Sequence, residues 1–266
     1  MELSRRSFLL TSSLGVTGSL STVAAFSTSA AQESAPGAIS PSFPSHDPML
    51  AKEIVGVSHR DVTRVRELLS GRSALAKAVW DWGYGDWETA LGAASHVGNK
   101  EIADVLLTAG APPTIFSAAM LGQLAVVQAM IAARPGLQRM KGPHGIPLLA
   151  HAKAGGASEV VKYLESLGDA DPRYTNEPLS DADRAAILGT YAYGAGPTEK
   201  LRVLINSRDW PVIQREGANE QNLFHLGGRV FHTPGNEHVR IRFAAGEPAA
   251  TVRIDDGSLK VVATRL

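Results

Sequence analysis

The sequence contains no cysteine among its 266 residues. This absence excludes disulfide bonds, thiolate metal sites, cysteine nucleophiles and lipid anchors attached to cysteine. The chain also lacks an excess of either charge, because its 26 Lys and Arg residues balance its 26 Asp and Glu residues. A neutral chain has no strong field that would draw it to nucleic acid, so we expect no nucleic-acid partner.

Familiar catalytic and cofactor motifs are missing as well. No G-x-S-x-G frames a serine nucleophile, and neither a P-loop nor a dinucleotide-binding fingerprint is present. His96, His144 and His151, with Asp81 or Asp86, could converge on zinc, since imidazole and carboxylate groups suit that metal. No H-E-x-x-H or other closely spaced pair supports this, so we predict no metal site, no cofactor and no catalytic residue. The sequence favours a protein without enzymatic activity and leaves that question open.

The first residues are typical of an export signal. In residues 4–10, two arginines are followed by Ser-Phe-Leu, which resembles the twin-arginine signal. The uncharged stretch over residues 9–26 contains too much Ser, Thr and Gly for a membrane span, and small residues before Gln32 favour cleavage there. We therefore predict a signal peptide over 1–31, a flexible linker over 32–46 and no membrane span after cleavage. The mature protein is expected in the periplasm or outside the cell.

A repeated pattern follows in the middle of the chain. Residues 88–111 resemble the ankyrin repeat, in which a Thr-x-Leu start, a pair of small residues, a glycine and an amphipathic helix recur. The matching positions are Thr89, Leu91, Ala94, Gly98, Leu106, Leu107, Gly110 and Ala111. Gly98 and Gly110 are expected to end the two helices of this unit, since a left-handed conformation costs glycine little. Two later units, and a degenerate first unit in which residues 58–62 line up with 98–102, give about four repeats over 47–172.

The pattern changes after this region. From residue 178 onward, short alternating apolar segments such as 201–205, 238–243 and 259–263 are separated by turns that contain glycine or proline. Such spacing is typical of an antiparallel sheet or small barrel. The start at Gly189-Thr190-Tyr191, the segment around Phe231 and the closing Val-Ala-Thr-Arg of residues 262–265 also resemble a small β domain of unknown function that is appended to exported β-lactamase-like hydrolases. We therefore predict a mainly α fold, an ankyrin-repeat solenoid followed by a small antiparallel β-sheet or half-barrel domain.

The most unusual segment is residues 80–88, where aromatic and acidic residues are mixed. The ankyrin resemblance implies that this segment is the finger of a repeat and that His96, Met120 and Lys153 lie on the concave face. Aromatic rings in a finger would give a large contact area with little entropy to lose. The predicted partner-binding residues are Trp80, Trp82, Tyr84, Asp86, Glu88, His96, Met120, His144 and Lys153. The alternative, left open here, is that the tryptophans pack the finger against the first repeat.

These features predict an exported scaffold that binds a protein of unknown identity. An alternative is an enzyme, or an enzyme accessory, that binds a small molecule or carbohydrate between the aromatic finger and the β domain. Geometry separates the two hypotheses. Fingers that face open solvent favour protein binding, whereas a β domain that folds over Trp82 and His96 favours an enclosed site. A third hypothesis is structural, in which the repeats stabilise the β domain or dimerise the chain through it.

Overall fold

The structure, a computed structural model, describes residues 41–266, which contain nine α-helices and eleven β-strands. The predicted export signal and most of the linker lie outside the described residues. No helix within the described part is long and apolar enough to cross a membrane. The described residues belong to one unit, Ser40–Leu266, and the predicted division between residues 172 and 178 stays a prediction.

Eight of the helices form four consecutive pairs. They are α1 (Pro48–Val57), α2 (Val62–Gly71), α3 (Ala90–His96), α4 (Lys100–Thr108), α5 (Ile115–Met120), α6 (Leu124–Ala133), α7 (Leu148–Ala154) and α8 (Ser158–Ser166). Each pair packs internally, and α1, α3, α5 and α7 contact one another in succession. Short 3-10 turns cover Ser73–Lys77, Leu137–Arg139 and Pro143–Gly145. The row of first helices therefore places residues that are distant in sequence next to one another.

Side-chain caps and glycines fix where these helices begin and end. Thr89 caps α3 by accepting a hydrogen bond from the Gly92 amide at 2.8 Å, and Asn99 caps α4 in the same way. Gly98 has a φ of 75°, as the sequence pattern requires. A Cβ at Gly98 would also collide with the carbonyl oxygen of Ala154. The glycine is therefore needed both for the turn and for the close packing of the helix pairs.

The remaining elements are strands and one further helix. They are the hairpin strands β1 (Val79–Asp81) and β2 (Trp87–Thr89), the helix α9 (Asp181–Ile187), and the strands β3 (Gly189–Ala192), β4 (Lys200–Ile205), β5 (Pro211–Arg215), β6 (Glu220–Asn222), β7 (Phe224–His225), β8 (Val230–His232), β9 (Arg240–Phe243), β10 (Thr251–Asp256) and β11 (Leu259–Arg265). The hairpin lies between α2 and α3 along the chain, so it belongs to the helical half by sequence.

Strands β3 to β11 form one antiparallel sheet in the order β6-β5-β4-β3-β11-β10-β9-β8-β7. The two outermost strands, β6 and β7, are separated along the chain by Leu223 alone. Because one residue cannot span an open nine-stranded sheet, the sheet has to curve until its two edges meet. The result is a nearly closed, barrel-like sheet.

The interior of this sheet is filled by alternating apolar side chains. Tyr191, Phe231 and Ile241 are completely buried there. Each side chain of this kind contributes about 1.5–3 kcal/mol when it is fully buried. Tyr84, from the loop of the β1–β2 hairpin, also packs against this core. The hairpin is therefore the element that joins the helical half to the sheet.

The fold class predicted from the sequence is wrong. The described residues are not a mainly α ankyrin solenoid with a small β appendage, because a nine-stranded, nearly closed antiparallel sheet is a major part of them. The physical reason lies in the strands, which are two to seven residues long and carry weak local patterns. In addition, the pairing of β3 with β11 joins segments far apart in sequence, which local alternation does not reveal.

Candidate metal centre and adjoining groove

The β1–β2 hairpin turns one acidic side chain inward and one aromatic side chain outward. Trp80 pairs with Glu88 across the hairpin, and Asp81 pairs with Trp87. Because side chains alternate along a strand, Glu88 is completely buried while Trp87 is 62% exposed. The indole Nε1 of Trp82 donates a hydrogen bond to Glu88 Oε2 at 2.8 Å, which fixes the orientation of the buried carboxylate.

Three histidines from separate segments converge on this carboxylate. His59 lies in the turn between α1 and α2, His96 is the last residue of α3, and His144 lies in the 3-10 turn Pro143–Gly145. Their Nε2 atoms lie 3.6, 3.0 and 3.3 Å, respectively, from an oxygen of Glu88. One possible ligand atom from each of the four residues lies within 4.8 Å of all the others. The packing of the helix pairs thus assembles a compact set of nitrogen and oxygen donors.

Hydrogen bonds on the far side of two imidazole rings fix their tautomers. His59 Nδ1 lies 3.0 Å from the carbonyl oxygen of Gly56, which can only accept, so Nδ1 carries the hydrogen. His144 Nδ1 lies 2.7 Å from Asp86 Oδ2, which also accepts. In the neutral form of each ring, the lone pair is therefore on Nε2, the atom that faces Glu88. A carbonyl or carboxylate behind the imidazole is the usual support of a metal-binding histidine.

Asp86 holds His144 in an uncommon backbone conformation. His144 has a φ of 58°, in the left-handed region that residues other than glycine rarely adopt. Asp86 is buried, and its Oδ1 accepts a 2.8 Å hydrogen bond from the His144 backbone amide while its Oδ2 accepts from the ring. Gly235 packs against the Asp86 backbone so closely that a Cβ would collide with it. Packing therefore fixes Asp86, and Asp86 fixes the imidazole.

The carboxylates and imidazoles shift each other's protonation. Burial favours a neutral Glu88, but the adjacent His144 and His96 side chains lower the pKa of Glu88 to about 2. Burial likewise opposes a charged His144, but Asp86 and Glu88 raise the pKa of His144 to about 10. At neutral pH and without a bound cation, the cluster therefore holds an ionised carboxylate and a protonated imidazole.

Two polar atoms at the centre of the cluster make no hydrogen bond. Glu88 Oε1 and His96 Nε2 are buried and form an ion pair at 3.0 Å, but among residues 41–266 neither atom meets the geometry of a hydrogen bond. A buried polar atom without a partner costs about 1–3 kcal/mol. Such an atom in a native fold points to a missing water, ion or ligand.

The spacing of the donor atoms suits a tetrahedral transition-metal ion. Zinc binds imidazole nitrogen and carboxylate oxygen at about 2.0–2.2 Å, which places its four ligand atoms about 3.3–3.6 Å apart. The distances from Glu88 oxygens to the three imidazole nitrogens are 3.0, 3.3 and 3.6 Å. These distances bracket the spacing of a tetrahedral site, and all four possible ligand atoms lie within 4.8 Å of one another.

Charge balance also favours a divalent cation. Asp86 and Glu88 are both buried, and within the described part of the chain their ion-pair partners are histidines, with no Lys or Arg. A divalent ion with three neutral imidazoles would neutralise the two carboxylates. Neutralisation removes most of the desolvation penalty that buried charges otherwise carry.

A groove between the hairpin and the barrel-like sheet passes this cluster. A cavity of about 540 Å³ has aromatic walls formed by Trp80, Trp82, Tyr84 and Tyr193. A cavity of about 180 Å³ is lined by Trp82, Asn219 and His144, among others. The two cavities adjoin each other, since Trp82 and Asn219 line both, and the smaller cavity reaches His144.

The structure brings five of the nine predicted site residues into the cluster or its immediate support. These five are Trp82, Asp86, Glu88, His96 and His144. Trp80 and Tyr84 line the groove. Met120 is completely buried in the helical core, which leaves it no surface for a partner. Lys153 lies outside the cluster, exposed and paired with Glu165 at 2.8 Å.

One member of the cluster, His59, was not singled out from the sequence. In the alignment of residues 58–62 with 98–102, His59 takes the position of Asn99, which caps a helix. A histidine at a position where the next unit has a capping Asn is the signal in the sequence that could have drawn attention to it. His151, which the sequence suggested as a companion of His96, is completely buried nearby but is not among the four donors. Burial and the neighbouring His96 lower the pKa of His151 to about 3, so this ring is neutral.

No protein-family model matches this chain, and a search of curated proteins found no match.

Proposed function

We propose that this protein binds one divalent transition-metal ion through His59, Glu88, His96 and His144. The observation that carries the proposal is the convergence of three imidazoles on the buried Glu88 carboxylate, where one possible ligand atom from each of the four residues lies within 4.8 Å of the others. Glu88 Oε1 and His96 Nε2 lie 3.0 Å apart without the geometry of a hydrogen bond, and a cation held between the donors would use the lone pairs of both atoms.

The donor set indicates the class of metal. Imidazole nitrogen suits zinc, copper, iron and nickel, whereas magnesium and calcium prefer donor sets made of oxygen. The sequence offers no thiolate to a softer ion, since it contains no cysteine. We favour zinc, because four protein donors at tetrahedral spacing satisfy its coordination.

A bound ion would join segments that are distant in the chain. It would link the α1–α2 turn, the hairpin, the end of α3 and the turn Pro143–Gly145. The centre is also reachable, because the His59 and His144 side chains keep 26% and 31% of their surface exposed. Asp86, Trp82 and the Gly56 carbonyl would hold the donors in place for the ion.

Export through the twin-arginine route remains part of the proposal for where the protein acts. That route carries folded proteins, some of which contain cofactors, so a protein loaded with metal before export is suitable cargo. Binding of a protein partner through the finger is the hypothesis that we favour less. Asp86, Glu88 and Met120 have almost no exposed surface with which to contact a partner.

A cobalt titration tests the proposal. Protein stripped with a chelator is titrated with Co²⁺, whose visible absorption reports tetrahedral coordination, and Zn²⁺ is then added to displace it. We expect one equivalent of Co²⁺ to bind and to be displaced. The His96→Ala variant should lose the tetrahedral spectrum, whereas His238→Ala, which removes an exposed histidine outside the cluster, should match the wild type.

Two results would contradict the proposal. The first is a wild-type protein that binds neither ion at micromolar concentrations, which would leave the cluster as a hydrogen-bonded network. The second is an unchanged cobalt spectrum in His96→Ala, which would place the ion elsewhere. Circular dichroism establishes that the variant is folded, so a lost spectrum is not mistaken for unfolding.

A further inference from the structure

The groove beside the metal centre has two walls of different origin. One wall comes from α1 and the hairpin, and the other comes from the barrel-like sheet. Three cavities of about 540, 570 and 180 Å³ adjoin one another along this groove, because Trp82 and Asn219 line all three. Small-molecule sites are typically clefts of about 300–1,000 Å³, so the groove is large enough for such a ligand.

The apolar part of the groove consists mainly of aromatic rings. Trp80, Trp82 and Tyr84 come from the hairpin, and Tyr193 comes from the sheet. The two tryptophans are only partly buried, so their rings are accessible from the groove. An aromatic ring presents a flat apolar face with a negative quadrupole, to which the C–H face of a sugar ring is complementary.

The hairpin loop holds one of these rings in a strained conformation. Gly83, Tyr84 and Gly85 have φ values of 108°, 56° and 76°. The left-handed conformation costs a residue with a bulky side chain about 1–3 kcal/mol, and strain of this kind is concentrated at binding sites. It places Tyr84 between the groove and the core of the sheet. Burial raises the pKa of Tyr84, so its hydroxyl keeps its proton and can donate a hydrogen bond.

In its two larger cavities, the groove carries no excess of either charge. The cavity of about 540 Å³ is lined by two charged residues of each sign, namely Lys52, Arg215, Asp81 and Asp256. The cavity along α1 is likewise lined by Lys52 and Arg60 against Glu53 and Asp61, so the lining favours a neutral ligand over a charged one. The exposed carboxamide of Asn219 both donates and accepts hydrogen bonds, as hydroxyl groups do.

We propose that this groove binds a neutral saccharide. Its sugar rings would stack on Trp80 and Trp82, and its hydroxyl groups would bond to Asn219 and to the charged side chains of the cavity of about 540 Å³. The inference goes beyond metal binding and does not depend on it, since His144 is the only one of the four metal donors that lines the described cavities of the groove.

The test is a binding measurement with defined probes. Maltotriose, cellotriose and N-acetylated chitotriose are titrated into the mature protein, and binding is followed by calorimetry and by tryptophan fluorescence. The glucosamine trimer and the galacturonic acid trimer serve as cationic and anionic probes. The variants are Trp80→Ala and Asn219→Ala, and the matched control is Trp87→Ala, which removes an exposed ring from the outer face of the same hairpin.

We expect at least one neutral trisaccharide to bind and to change the tryptophan fluorescence. Trp80→Ala should weaken that binding about tenfold or more, because truncation of a stacked aromatic side chain typically costs more than 1 kcal/mol. Asn219→Ala, at an exposed position where folding is not at risk, should weaken it about threefold to tenfold. Trp87→Ala should bind like the wild type.

Three results would overturn the proposal. They are no binding of any neutral trisaccharide at millimolar concentration, tighter binding of a charged trimer than of every neutral one, and an equal loss of affinity in Trp87→Ala and Trp80→Ala. Each titration is run with zinc-loaded and with chelator-treated protein. Saccharide binding in both states would stand even if metal binding failed, and metal binding without saccharide binding would leave the metal proposal intact.

Discussion

Two groups of histidines in this protein have different surroundings. In the barrel-like sheet, the Nδ1 atoms of His225 and His232 each lie 3.0 Å from a backbone carbonyl oxygen, and both rings pack on a phenylalanine. Beside the hairpin, His59, His96 and His144 instead direct their Nε2 atoms at a buried carboxylate. Burial of an imidazole therefore does not by itself indicate a metal site. Three imidazoles that converge on one buried carboxylate form a donor set on which a metal site can be proposed.

The largest expected difference between the two groups is in zinc affinity. Glu88→Gln keeps the shape of the side chain but removes the charge on which the three histidines converge. We expect at least about a hundredfold loss of affinity, equivalent to about 2.7 kcal/mol, measured by competition with a chromophoric chelator. His225→Gln is the matched change in the sheet and should leave the affinity unchanged. Equal losses in both variants would remove the distinction between the two groups.

The second-largest expected effect is the loss of zinc affinity when His144 loses the carboxylate that supports it. In Asp86→Asn, one amide oxygen cannot accept both hydrogen bonds that the two carboxylate oxygens accept from His144. Loss of a supporting carboxylate typically weakens metal binding about 10- to 100-fold. The affinity is best compared at pH 9, where protons compete least for the imidazole. An unchanged affinity there would show that Asp86 does not position this ring for the ion.

The pH dependence of zinc binding tests whether the ion displaces a proton from His144. Because the pKa of His144 is raised to about 10, this ring is protonated at neutral pH, and a metal ion must displace the proton. The affinity should therefore rise with pH, by about tenfold per unit between pH 7 and pH 9. Chelator competition at several pH values measures this slope. A flat profile would mean that His144 is neutral or does not bind the ion.

The smallest effect is expected at His151, which is buried without a hydrogen-bond partner for either ring nitrogen. His151→Leu removes these unsatisfied atoms at similar volume and should raise the free energy of unfolding by about 1 kcal/mol. Urea denaturation measures the change, and zinc affinity should stay within a factor of two of the wild type. A destabilised variant, or one with weakened zinc binding, would show that His151 supports the metal centre after all.

Much of the candidate site was visible in the sequence, but its chemistry was not. The aromatic finger, Glu88, His96 and His144 stand out in the sequence, which favours a partner-binding surface over a zinc site made of His96, His144 and His151 with Asp81 or Asp86. The packing of α1 beside α3 brings His59 to His96, and no local pattern encodes that proximity. The inward direction of Glu88 depends on the hairpin register with Trp80, which is also invisible until the two strands pair.

The fold shows the same division between local and long-range information. Gly98 and Gly110 end their helices with φ values of 75° and 95°, as expected from glycine chemistry. Alternating segments of the second half do form strands, such as Lys200–Ile205 and Leu259–Arg265. Their number, their order and the closure of the sheet through Leu223 depend on long-range pairing, so the predicted fold class failed there.

The most direct test of the account is the X-ray absorption spectrum of the zinc-loaded protein. Three histidines and Glu88 predict four nitrogen or oxygen donors at about 2.0–2.1 Å, with the outer-shell scattering of three imidazole rings. The same spectrum recorded on His238→Ala should be identical, because that side chain is exposed and outside the cluster. A spectrum with one imidazole or none, or with six oxygen donors, would contradict the metal centre proposed for this cluster.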